Sequence, residues 1–152
     1  MFELYAHEYT ARQMVRCPFC SLADDLENDL VALGTSSVFV VPALKQRQLN
    51  RGHMLILPTA HVTRMIDVEP SLAQELYTVA GRVSMAVRNA FAATGATVFQ
   101  NDNAPDQELF HVHIHVVPRK AGDNFKLPDP SSQEVTREER MQQAQALRRV
   151  LG

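Results

Sequence analysis

In the stretch ELFHVHIHVVPR, residues 108–119, histidine takes every second position: His111, His113 and His115. The chain has six histidines, so half of them fall within five residues. A neutral imidazole can ligate a metal, attack an electrophile or carry a proton near neutral pH. On a strand, alternate side chains share a face, which puts the three histidines on one side and Val112, Ile114 and Val116 on the other, a core-like face. From the strand rise, neighbouring histidines stand about 6–7 Å apart and the outer two about 13 Å. A zinc–nitrogen bond is only about 2.0–2.1 Å. Two neighbours can therefore converge on one metal, but three on a straight strand cannot easily do so. A solvated polar face and a metal-only site are the competing readings. Division of labour fits the spacing better: one ligand, one reactive imidazole, one supporter.

The other chemistry-bearing residues are few. CPFC, residues 17–20, has the spacing of a metal knuckle and equally of a dithiol redox motif. A redox motif wants a strand just upstream, and EYTARQMVR, residues 8–16, makes no convincing strand. A single Cys-x-x-Cys supplies two of the four ligands of a closed zinc site, and with no further cysteine the rest must be histidine. In NRGHMLILPTAH, residues 50–61, His53 opens an apolar run and His61 lies just past its end. Gly52 permits tight backbone geometry beside His53. His7 has no supporting pattern.

Four strands and two helices must position these groups. SSVFVV (36–41), HMLILP (53–58), ATVFQN (96–101) and LFHVHIHVV (109–117, ended by Pro118) read as strands. Leu72, Leu76, Val79, Val83, Val87 and Ala90 recur at helical steps, with Ser71 and Gln74 as a capping box and Gly95 as a stop. Thr136 and Glu139 form a second capping pattern ahead of Met141, Ala144, Leu147 and Leu151, a C-terminal amphipathic helix. Two strands, a helix, two strands and a helix, with short connections, predict antiparallel pairs and an α+β class. At 152 residues the chain is expected to be one domain, 1–152. Its 45% hydrophobic and 21% charged content suits a soluble globular chain. A net charge of −2 argues against a polymeric nucleic-acid partner. With no run long enough to span a membrane and no apolar leader, the expected compartment is the cytoplasm.

Taken together, HVHIHVV, the PR and AGDNF that follow it, GHMLILPTAH and CPFC resemble the signature of the histidine-triad superfamily, in particular its bacterial zinc-binding branch, over residues 17–125. The resemblance implies an α+β fold: a five-stranded antiparallel half-barrel sheet with a long central helix and a C-terminal helical extension at 136–151. Two such protomers would pair into a homodimer through the long helix and the third strand. It implies a nucleotide substrate, such as an AMP conjugate or a dinucleoside polyphosphate, hydrolysed or transferred at its α-phosphate. His113 would be the nucleophile and would form a covalent nucleotidyl-histidine. His115 and His53 would support it, and Gln107, with backbone amides, would stabilise the phosphorane. Asn101, Gln107 and His115 would contact substrate. Cys17, Cys20, His61 and His111 would hold a structural zinc, with no organic cofactor. The alternatives are a nucleotide-binding regulatory module with vestigial chemistry and a zinc-stabilised interaction protein. The chain departs from the pattern at Lys45, where the family often has a ribose-binding aspartate, and at Asp106 and Glu108, which flank Gln107. Those two carboxylates would repel phosphate unless they point away or meet a cation. If the strand has begun by residue 108, Glu108 projects away from the Gln107 face.

Overall fold

Val38–Pro42 and Met54–Pro58 carry no polar residue on either face, and in the computed structural model both runs are buried along their whole length. The structure describes residues 17–105, 107–127 and 131–152; His7, residues 8–16 and Asp106 lie outside the described residues. In chain order the elements are α1 (Pro18–Ala23), β1 (Leu33–Gly34), β2 (Val38–Pro42), β3 (Lys45–Gln46), β4 (Met54–Pro58), α2 (Pro70–Ala90), β5 (Gly95–Gln100), β6 (Ile114–Arg119), β7 (Gln133–Glu134) and α3 (Arg137–Leu151). Five strands form one sheet in the order β1-β2-β4-β6-β5, and every neighbouring pair is antiparallel. β3 and β7 make a separate two-stranded ribbon. This is the expected α+β architecture.

Full burial of β2 and β4 follows from packing on both sides of the sheet. Val38, Val40, Met54, Ile56, Val112, Ile114 and Val116 join one core, together with Leu76, Val79, Val83 and Val87 of α2 and Ala144 and Leu147 of α3. Phe39, Val41, Leu55 and Leu57 face the other way and pack with Cys17 and Phe19. The alternation read along the triad holds: Val112, Ile114 and Val116 belong to the helix-side core.

The structure corrects several boundaries. β6 begins at Ile114, not 109. Upstream of it Val112 N–H donates to Val62 O at 2.7 Å, so this segment bonds to the chain after β4 and not to a ladder. Glu108 consequently lies ahead of any strand, and its direction does not follow strand alternation. Nor does Pro118 end β6, which continues to Arg119. The β4 ladder stops at Val116, so no donor is needed on that side of Pro118, while Pro118 O accepts from Asn50 Nδ2 at 2.8 Å.

The long helix starts one residue earlier than the expected cap. Pro70 takes the first turn, where its missing N–H costs nothing, and Glu69 precedes it without a side-chain cap. Ser71 is thereby drawn inside the helix. At the other end the left-handed residue is Ala92, φ 50°, not Gly95. Ala93 N–H reaches back to Arg88 O at 3.1 Å, closing the helix in a Schellman-type turn, and Gly95 opens β5. In α3, Thr136 Oγ1 accepts from Glu139 N–H at 3.1 Å, half of the expected capping box; the Glu139 carboxylate turns instead to Arg51, 3.2 Å away.

Candidate functional site

α1 begins at the cysteines. Cys17 is its N-cap and Cys20 lies in its first turn, which aims both thiols at the end of β4 and the start of the triad. The ligating atoms of Cys17, Cys20, His61 and His111 all lie within 4.8 Å of one another. Cys17 Sγ is 3.6 Å from His111 Nδ1, and Cys20 Sγ is 3.2 Å from His61 Nδ1 and 3.8 Å from His111 Nδ1. Standard zinc–sulfur and zinc–nitrogen lengths at tetrahedral angles require an S···N edge of about 3.6 Å. His111 Nε2 donates to Pro58 O at 2.9 Å, so the lone pair stays on Nδ1, towards the thiols. Burial, with the neighbouring Cys17, pushes the Cys20 thiol up to about 11. Burial also pushes His111 down to about 4. Two thiols and two neutral imidazoles in this arrangement suit a soft divalent cation. Sequence spacing had allowed only part of the triad to meet one metal, and only His111 takes part.

The other two triad histidines have different company. Buried His113 donates from Nδ1 to His111 O at 2.6 Å. A carbonyl only accepts, so this bond places the proton on Nδ1 and leaves the lone pair on Nε2. Burial lowers the His113 pKa, while the bond to the His111 carbonyl opposes that shift. His115 Nδ1 lies 2.9 Å from His53 Nε2, with one proton between them. Burial, reinforced by the neighbouring histidines, brings His115 down to about 2 and His53 to about 4. Both rings are therefore neutral at pH 7. His115 Nε2 is buried without a hydrogen-bond partner among the described residues, as is His61 Nε2.

Two aromatic rings that sequence reasoning passed over shape the site. Phe99 of β5 stacks on His115, with centroids 4.3 Å apart and planes 2° from parallel. Phe19 of α1 touches both His111 and His113, at 5.7 and 5.6 Å. The strand register accounts for Phe99, since it pairs with His115 across β5 and β6. Phe19 had its signal in CPFC, where only the cysteines drew notice.

Asn101 lines a cleft with His53, His115, Phe99 and Phe125. The rim of that cleft is braced by Asp123, which accepts from Arg119 Nε at 2.7 Å, Arg119 Nη2 at 2.8 Å and Asn50 Nδ2 at 2.8 Å. The Arg119 guanidinium holds the Asp123 carboxyl far below the usual carboxylate range. Gln107 is buried and organises its own loop: its Oε1 accepts from Asn103 N–H at 2.6 Å and its Nε2 donates to Leu109 O at 2.9 Å. Among the described residues its second amide hydrogen makes no hydrogen bond. Lys45 and Glu108, the two departures from the family pattern within the described residues, pair with each other across the surface. Glu108 thus meets a cation.

The family model for the HIT domain matches residues 37–122, more than half of the chain. This chain belongs to the HIT family. Its fold is shared with a zinc-bound histidine triad protein from Mycobacterium smegmatis, at a TM-score of 0.72 and 27% identity over 90% of this chain and 94% of that one. The protein named hit from Bacillus subtilis is 29% identical over 112 residues, 72% of this chain and 75% of the relative. The asymmetrical bis(5'-nucleosyl)-tetraphosphatase of Schizosaccharomyces pombe is 33% identical over 73 residues, 47% of this chain and 40% of that protein.

Proposed function

We propose that this HIT chain is a nucleotide hydrolase or nucleotidyl transferase acting at the α-phosphate of a nucleoside phosphoramidate, phosphate ester or dinucleoside polyphosphate, with His113 as the nucleophile. The observation that carries this reading is the 2.6 Å bond from His113 Nδ1 to the His111 carbonyl. It presents an unprotonated Nε2 beside the His115 ring, whose centroid is 4.7 Å away. In the proposed reaction a bond forms between His113 Nε2 and phosphorus as the bond to the leaving group breaks, and water then cleaves the nucleotidyl-histidine. A covalent intermediate divides one difficult displacement into two easier ones. The neutral His53–His115 pair would support the transferred phosphate, with His115 Nε2 meeting a phosphate or leaving-group oxygen. Asn101 and the remaining amide hydrogen of Gln107 would orient the substrate. The tetraphosphatase relative supports a phosphoanhydride substrate.

Cys17, Cys20, His61 and His111 would hold zinc as a closed structural site; when bound, it would neutralise the thiolates and tie α1 to the triad. The domain is taken to span 1–152 and to work in the cytoplasm as a homodimer, through α2 and β5, which expose Tyr77, Met85 and Val98. A monomer in sedimentation would remove that interface. A nucleotide-binding module with slow chemistry is the second reading, favoured by the engagement of Gln107 in its own loop.

The deciding assay measures turnover of an adenosine phosphoramidate and a dinucleoside tetraphosphate. His113→Ala should abolish turnover, a loss of at least about a thousandfold, while AMP binding persists. A wild type that binds AMP without turning over any substrate of a nucleotide panel would favour the module.

A further inference from the structure

The least expected polar residues in the core are two glutamines. Gln46 is 0% exposed and Gln143, on α3, is 6% exposed. Their amides face each other: Gln46 Nε2 donates to Gln143 Oε1 at 2.8 Å, and Gln143 Nε2 donates back to Gln46 Oε1 at 3.1 Å. Gln46 uses its remaining capacity on the main chain. Its Nε2 donates to Ala43 O at 2.8 Å and its Oε1 accepts from Gly52 N–H at 3.0 Å. Every donor and acceptor of this buried amide is satisfied, and turning it over would face Gly52 N–H with another donor.

Gly52 leads directly into His53. The chain there has little freedom: Gly52 sits at φ +92°, and a Cβ on it would lie 2.4 Å from the Phe91 ring. One turn before Gln143 on the same helix, Glu139 holds Arg51 at 3.2 Å, and Arg51 Nη1 donates to Gln46 O at 3.0 Å. After Gly52, His53 O accepts from Ala43 N–H at 2.9 Å. The C-terminal helix thus grips the two residues ahead of His53 through two side chains four positions apart. The two glutamine side chains bond to each other, to Ala43 and Gly52 and to Glu139, and not to a histidine ring.

We infer that Gln143 and Gln46 are positioning residues, through which the C-terminal helix sets the place of His53 and so the His53–His115 hydrogen bond. This rests on the reading of His53 and His115 as part of the working site. A buried amide pair is directional where an apolar contact is not, so it fixes the height of the main chain at Gly52 as well as covering it.

The test uses the whole chain and two readouts. The first is the imidazole ¹⁵N spectrum. Gln143→Met, nearly the same in volume but without the amide, should move the His53 and His115 ring nitrogens while His113 keeps its Nδ1-protonated pattern. The second is a double-mutant cycle on turnover. Gln143→Met should lower kcat about tenfold with little change in KM, and add nothing further in a His53→Ala background. Glu139→Gln, at the surface, should shift the same two rings less; it keeps the test alive if Gln143→Met does not fold. Unmoved His53 and His115 signals, or a Gln143 effect that persists in full without His53, would overturn the inference. A wild type with no turnover would sink the proposed function alone, leaving the spectra to judge the positioning role.

Discussion

The two ends of the triad face have the same residue type but different surroundings. At one end His111 joins His61 and two thiols whose ligating atoms crowd within 4.8 Å. One of those thiols is pushed up to about 11, and a bound cation would stabilise its thiolate instead. At the other end His113, His115 and His53 have no charged partner among the described residues, and burial keeps all three neutral. The partner of each Nδ1 makes the difference. His111 Nδ1 looks at sulfur, His113 Nδ1 at a carbonyl and His115 Nδ1 at another imidazole. The period-two spacing gives the three rings one residue type at regular steps; their hydrogen bonds give them different chemistry.

That contrast can be broken from the metal end first. Cys17→Ser with Cys20→Ser, or removal of zinc by a chelator, should lower the melting temperature strongly, at a cost of several kcal/mol, checked by calorimetry. Catalysis by the surviving folded fraction should persist, because the metal lies outside the proposed reaction. Loss of activity at unchanged stability would join the two ends into one site.

Acid should break the other end. His53 and His115 are neutral and half-buried when folded, at about 4 and about 2, but titrate near 6.5 when unfolded. Above pH 6.5 both states are neutral and the protein holds its full stability. As pH falls from 6.5 towards 4, the unfolded chain binds protons that the folded one resists, and stability drops. Urea melts of the metal-loaded protein at pH 7.5, 5.5 and 4.5 should show this fall; a midpoint independent of pH in that window would contradict the neutral pair. The rate of nucleotidyl transfer should also fall only below pH 6.5, because the depressed pKa of His113 keeps its Nε2 free above it.

The smallest effect is expected at Lys45 and Glu108. Both are exposed, and exposed pairs contribute little. Glu108→Gln should leave the melting temperature unchanged and alter only the KM of an anionic substrate, by a few-fold at low salt.

Much of this arrangement was legible in the residues. The period-two histidines and the apolar residues between them assign the two faces of the segment that runs into β6, and the helical repeat from Leu72 to Ala90 gives α2. The two-residue strands β1, β3 and β7 are too short to carry a period. The expected start of β6 differs because residues 111–113 join no ladder, and the cap of α2 because Pro70 outranks Ser71. The metal cluster joins residues up to 94 positions apart, a distance that resemblance could bridge and local spacing could not. Gln46 and Gln143 left no signal at all: a glutamine in a polar connection or amid charged helix residues reads as surface until its partner is seen.

The central claim is that His113 Nε2 bonds to phosphorus. Mass spectrometry of the protein quenched during turnover of a labelled adenosine phosphoramidate tests it most directly. A gain of one adenylyl group, mapped to His113 and absent from His113→Ala, is the predicted result. Turnover with no adduct on His113 under conditions that trap the intermediate, or an adduct on His115 or His53, would contradict it.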